Sequence, residues 1–301
     1  MDPNMNIDGV LNEARAGTSA GCQGCPWNPL TVGPMAFGTS CTEHTSLPSG
    51  RALVVSVAQD PGGTTPERTG RLCVVCNSRN ASDRSAGHAF DLWRAAISFA
   101  SNDRSYQDPI MRQTYFTNAV LHGVPTGDRR SEAERKRLTA QREKANSFCA
   151  GVLAQQLAAL QPSIVMVSGA TARAAVDLLS SGAWSAVSPS EPSQKRIRVS
   201  GVPHEIECFA LVHASARGTN FEAAKRAREW FATTGDQERF VESRIASLPS
   251  GVQARLLLQK CRPSAGGTDT EYRGMMAHLA WWIAVGNAIR DDLGPSGLKR
   301  E

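Results

Sequence analysis

The 301-residue sequence predicts an α/β fold: a central, mostly parallel sheet flanked by helices, followed by a helical C-terminal extension. Three observations carry this expectation. Strand-patterned runs occur at Leu53–Val57, Thr114–Asn118, Ile164–Val167 and Cys208–Val212, with helix-patterned segments between them. Several of these runs deliver a polar side chain to a loop, as the strand ends of an open α/β sheet do. Beyond about Gly235 strand patterning stops. The expected organisation is an N-terminal metal-knuckle segment over 1–50, an α/β core over 51–234 and a helical extension over 235–301.

Residues 1–50 are rich in Gly, Ser and Pro and read as a poor folding segment without a metal. The first core strand runs into Ala58-Gln59-Asp60-Pro61-Gly62-Gly63, which puts Asp60 at the carboxyl end of a buried strand. Thr64–Ala86 reads as a long polar loop, and Phe90, Trp93, Ile97 and Phe99 mark a helix with one apolar face. Thr114–Asn118 is read as a strand that ends in Asn118. Ser131-Glu132-Ala133-Glu134 is a capping box opening a highly charged helix. Its basic run, Arg129–Lys144, is either a solvated face or a DNA contact. Pro162 precedes the strand Ile164–Val167, and Gly169–Leu179 reads as a crossover helix. Ser185–Gly201 is a loop leading into a hairpin that carries Lys195, Arg196 and Arg198. Cys208–Val212 then ends in His213-Ala214-Ser215, and the amphipathic, basic Phe221–Phe231 closes the core. In the extension, Phe240–Leu248, Val252–Leu258 and Tyr272–Ile289 read as helices. Met275, Met276, Leu279, Trp282 and Ile283 form a packing stripe.

No apolar run approaches the roughly 18 residues of a membrane span, and the polar start MDPNMNIDG is no secretory signal. The expectation is a soluble, cytoplasmic, monomeric protein with no membrane partner. A net charge of +5 permits DNA binding through phosphate contacts without demonstrating it. Eight cysteines in such a chain point to metal binding or burial rather than disulfides. Cys22-Gln23-Gly24-Cys25 is a C-x2-C knuckle. A redox pair usually opens a helix, which Pro26-Trp27-Asn28-Pro29 would impede. Cys73-Val74-Val75-Cys76 is a second such spacing, while Cys208 and Cys261 read as packed thiols.

The loops resemble the uracil-DNA glycosylase superfamily over roughly residues 20 to 232. Gln59-Asp60-Pro61 resembles its water-activating motif, and Asn118-Ala119-Val120-Leu121 its base-reading motif. His213-Ala214-Ser215-Ala216-Arg217 resembles its leaving-group and phosphate loop, with Ala214 in place of Pro. Leu157–Gly169 resembles the helix, Pro and strand ending in Gly that lie between them. The knuckle is similar to that of the iron–sulfur branch, whose fourth cysteine matches Cys149 and whose third falls on His122. The resemblance thus implies a [4Fe-4S] cluster or a zinc on Cys22, Cys25, His122 and Cys149. Alternatively Cys41, Cys73 or Cys76 supplies the remaining thiolate, or no metal is held at all.

The resemblance implies a monofunctional DNA glycosylase that flips a pyrimidine out of the duplex and leaves an abasic site. Asp60 would orient water and stabilise the sugar cation, and His213 would stabilise the departing base. Gln59, Gly62 and Asn118 would bind the base, Ser215 a phosphate, and Arg217 would fill the vacated stack. No lysine lies in the three motif loops to form a Schiff base. Gly62 stands where the best-known branch has a Tyr against the pyrimidine C5, and Thr69–Val74 lacks the stacking Phe of relatives. Both departures suggest a roomier pocket. They favour a 5-modified cytosine, such as glucosylated hydroxymethylcytosine of phage DNA, over uracil. The competing class is a non-catalytic DNA-binding relative.

Overall fold

A computed structural model describes residues 6–32, 36–39, 52–59, 70–72, 112–123, 131–182, 193–211, 239, 241–243, 246, 262–269, 272, 275–276, 279, 282–283 and 285–286. Its contacts gather into two compact units, one comprising Met1–Val74, Arg112–Val187 and Gln194–Cys208, the other Val75–Met111, Ser188–Ser193 and Phe209–Glu301.

The first unit begins with α1 (Ile7–Ala16), a helix not anticipated in a segment read as a poor folder. Asn6 caps it by accepting from the Asp8 amide at 3.0 Å, and its last turn gives way to Gly17. Val10, Leu11 and Ala14 are buried on the face toward the long helix described below. The segment therefore has apolar packing of its own. A one-turn helix, α2 (Pro29–Val32), follows the knuckle. No helix opens at the knuckle, as expected: residues 25–28 are non-helical, and the single turn begins only at Pro29, a first helical position where no intrahelical N–H bond is lost. Asn28 fastens this region: its Nδ2 donates to the carbonyls of Gly17 at 3.2 Å and Cys22 at 2.9 Å, while Oδ1 accepts from the Leu30 amide at 2.9 Å.

Among the described residues seven strands form one sheet: β1 (Ala36–Thr39), β2 (Val54–Ala58), β3 (Gly70–Leu72), β4 (Thr114–Gly123), β5 (Ile164–Ser168), β6 (Ser193–Ile197) and β7 (Ile206–Leu211), in spatial order β3-β1-β4-β2-β5-β7-β6. β2 pairs parallel with both β4 and β5, and β1 pairs parallel with β3. β1 and β4 are antiparallel. β2, β4 and β5 are mostly buried, as expected of a parallel centre covered on both faces. β3 lies inside the stretch read as a loop, so Thr64–Ala86 is not loop throughout.

Thr114–Asn118 is likewise not the whole strand. β4 continues to Gly123 because, past the last β2 pair at Ala58↔Asn118, its second half stays paired with β1. Asn118 thus sits within a strand rather than at its end.

α3 (Glu132–Leu160) is one continuous helix opened by the expected capping box, with Ser131 Oγ and the Glu134 carboxylate bonding each other's backbone amides. Its first turns are solvated: the Glu132–Lys136 pair at 3.0 Å leaves both side chains over 70% exposed and adds little to stability. Its second half is buried along Val152, Leu153, Leu157 and Leu160. Each such side chain contributes roughly 1.5–3 kcal/mol of hydrophobic stabilisation. α4 (Ala170–Leu179) follows β5 as the crossover helix and packs on α3, where Asn146 Nδ2 donates to the Thr171 carbonyl at 3.2 Å.

In the second unit, the described residues among 269–286 are helical, and Met275, Met276, Leu279, Trp282 and Ile283 are buried as the apolar stripe requires. Tyr272 donates to the Glu242 carboxylate at 3.0 Å. Among the described residues no helix is long and apolar enough to cross a membrane.

Candidate functional site

β2 and β4 bring Gln59 and the Asn118 segment, residues of two of the motifs, side by side. Ala58 pairs with Asn118, and one residue further the Gln59 carbonyl accepts the Val120 amide at 3.0 Å. Gln59 is half-buried and Asn118 is 2% exposed. Against β1 the register of β4 breaks at the same place. β1 advances two residues, from Phe37 to Thr39, while β4 advances five, from His122 back to Thr117. A bulge therefore spans Asn118–Leu121. Bulges interrupt strict alternation and re-aim side chains, which is why they gather beside active sites. An amide in such a bulge can offer one donor and one acceptor to a ligand edge. Asp60, Gly62, His213, Ser215 and Arg217 lie outside the described residues, as do Cys41, Cys73, Cys76 and Cys261.

The thiols form the second focus. Cys22 closes a 3-10 turn (Ala20–Cys22), and the knuckle is a tight turn in which the Cys25 amide bonds the Cys22 carbonyl at 3.2 Å. Gln23 at φ −66°, ψ 126° and Gly24 at φ 74° give it type II geometry, so the third position needs glycine. Gly21 lets the knuckle approach α3 closely: a Cβ there would lie 2.9 Å from Val152 Cγ2 and 3.2 Å from the Phe148 carbonyl oxygen.

Cys25, Trp27, Val120, Ala145 and Cys149 consequently form one buried cluster, with Phe148 against it. The Cys25 and Cys149 thiols are hydrogen-bonded. That bond pulls Cys25 down to about 7 against the opposing effect of burial. The same bond, together with burial, holds Cys149 protonated well above the ordinary thiol range. Cys149 also bonds the backbone of Leu121, the residue before His122. Burial, with the charge of Cys25, pushes Cys22 up to about 11, and its thiol donates to the Ala14 carbonyl at 3.7 Å.

The three thiols therefore share one region without closing on a common point. Among the described residues no three His, Cys, Asp or Glu side chains are grouped as a ready metal centre. The donor chemistry itself, neighbouring thiols with a neutral imidazole on the adjoining strand, suits a thiolate-binding metal. Cys208 is a buried packed thiol, as expected, raised by burial and partly offset by the Arg173 charge.

His122 is 4% exposed, and burial pushes its imidazole down to about 4 from an ordinary 6.5. Between those values the unfolded chain binds a proton that the folded chain refuses. The folded state is thus favoured fully above pH 6.5 and loses up to about 3 kcal/mol as pH falls toward 4. Urea midpoints of the metal-free chain across this window should fall more steeply than those of His122→Gln. Parallel curves for the two proteins would refute the assignment.

Sequence reasoning passed over Gln156. It is fully buried on α3 and accepts the Thr117 hydroxyl at 2.9 Å. The available signal was a polar residue in helical phase with Cys149, Leu153 and Leu160 on an otherwise apolar stripe.

Compared with known proteins, residues 46–234 match the family model of the uracil DNA glycosylase superfamily, a span that contains all three motif loops. No curated protein matches the chain.

Proposed function

The chain belongs to the uracil DNA glycosylase superfamily, whose function is of DNA glycosylase type and whose members act on DNA, and from that premise we propose that it is a monofunctional glycosylase removing a 5-modified cytosine. The observation that supports this reading is the bond between Gln59 and Val120, which sets Gln59, the residue before Asp60, beside the bulged Asn118 segment.

Cleaving the N-glycosidic bond puts cationic character on the sugar and negative charge on the departing base. The Asp60 carboxylate orients the attacking water and stabilises the cation. His213 donates a hydrogen bond toward the pyrimidine O2 and stabilises the leaving anion. Asn118 reads the Watson–Crick edge of the flipped base, with its amide turned to suit cytosine. Gln59 lines the base pocket, and Gly62 leaves room at C5. Ser215 grips a phosphate, and Arg217 occupies the gap in the stack. With no motif-loop lysine, the product is an abasic site rather than a broken strand. Removal of hypermodified bases by a cytoplasmic enzyme suits defence against phage DNA.

Cys22, Cys25 and Cys149, with His122 or a further cysteine, would hold a [4Fe-4S] cluster or, failing that, a zinc. Binding requires the Cys22 thiol to leave the Ala14 carbonyl. When bound, the metal would supply structure, fastening the knuckle to α3 and β4, and it enters no bond-breaking step.

Uracil excision is the second reading, favoured by the family itself. Matched duplexes carrying uracil, hydroxymethylcytosine or glucosylated hydroxymethylcytosine separate the two. Excision of a modified cytosine is expected. Rapid removal of uracil alone would end the wide-pocket reading.

A further inference from the structure

The bulge that contains Asn118 is held at its Thr117 end by α3. There Gln156 Oε1 accepts the Thr117 hydroxyl at 2.9 Å.

Filling the core does not account for Gln156. Its side chain is completely buried, and its Nε2 has no hydrogen-bond partner among the described residues. An unpaired buried N–H is costly, so an apolar side chain would serve packing better. Thr117, its partner, is also fully buried and immediately precedes Asn118.

We propose that Gln156 is a positioning residue: by fixing Thr117 it sets the aim of the Asn118 amide toward the flipped base. This rests on the base-reading role of Asn118 proposed above.

The test compares Gln156→Leu, Thr117→Val/Gln156→Leu and Asn118→Ala with wild type, using whichever of the three duplex substrates the wild type cleaves. Gln156→Leu should slow single-turnover excision about 100-fold, the scale of a 1 Å misplacement, while DNA affinity holds within about threefold because phosphate contacts supply most of it. The double variant removes both hydrogen-bonding groups, so its thermal midpoint should return toward wild type while its rate stays low. Recovery of rate together with midpoint would assign the pair to packing alone and overturn the proposal. An unimpaired Asn118→Ala would instead remove the base-reading role. A crippled Asn118→Ala beside an unimpaired Gln156→Leu would overturn only the positioning role.

Discussion

Asp60→Asn is expected to slow base excision by about 10²–10⁴-fold, the range that a positioned acid–base group supplies. The amide occupies nearly the same volume, so folding and DNA affinity should survive. What is lost is the negative charge, and with it both the pull on the attacking water and the stabilisation of the sugar cation. Substrate binding measured by anisotropy, and excision measured in a single turnover, separate these effects. Binding retained with excision lost is the expected pattern. Equal rates in the two proteins would remove Asp60 from the chemistry.

Cys149→Ser is expected to have the largest effect on the folded chain. Cys149 is 5% exposed and joins the knuckle, α3 and the Leu121 backbone. A hydroxyl is a poor ligand for a cluster or zinc and buries a more strongly polar group than the thiol did. Because the free energy of binding a structural metal adds directly to that of folding, losing one ligand should strip the metal and lower the thermal midpoint together. Metal analysis and visible absorption, brown for an iron–sulfur cluster, read the first effect, and thermal unfolding reads the second. A wild-type protein isolated metal-free and stably folded would dispose of the metal. Metal content unchanged in Cys149→Ser would move the ligand elsewhere, and then Cys41→Ala and His122→Ala identify the alternatives.

The parts of the fold that were legible in the sequence are those whose signal is local. β2 and β5 are continuous apolar runs, and α3 announces itself by Ser131 and Glu134. β1 and β3 are short, Ala36–Thr39 and Gly70–Leu72, and exist through their pairing rather than their composition. α1 was legible but passed over: Asn6, the Val10-Leu11-Ala14 spacing and Gly17 spell a capped amphipathic helix inside a Gly-rich stretch.

The site divides similarly. Gln59 and Asn118 can be singled out from their motifs, yet the sequence places Asn118 at a strand end because it shows no partner for the second half of β4. That partner is β1, which pairs antiparallel with it. Gln156 was missed because its meaning lies in a contact with Thr117 39 residues away along the chain.

Base removal without strand cleavage is the reaction proposed for this chain. The most direct measurement incubates the wild-type chain, as isolated, with end-labelled duplexes bearing uracil, hydroxymethylcytosine or glucosylated hydroxymethylcytosine, then divides each sample between alkali and neutral buffer. Breaks at the target pyrimidine after alkali, with intact strands in neutral buffer, are expected for at least one duplex. Intact strands in every arm, or breaks that need no alkali, would contradict it.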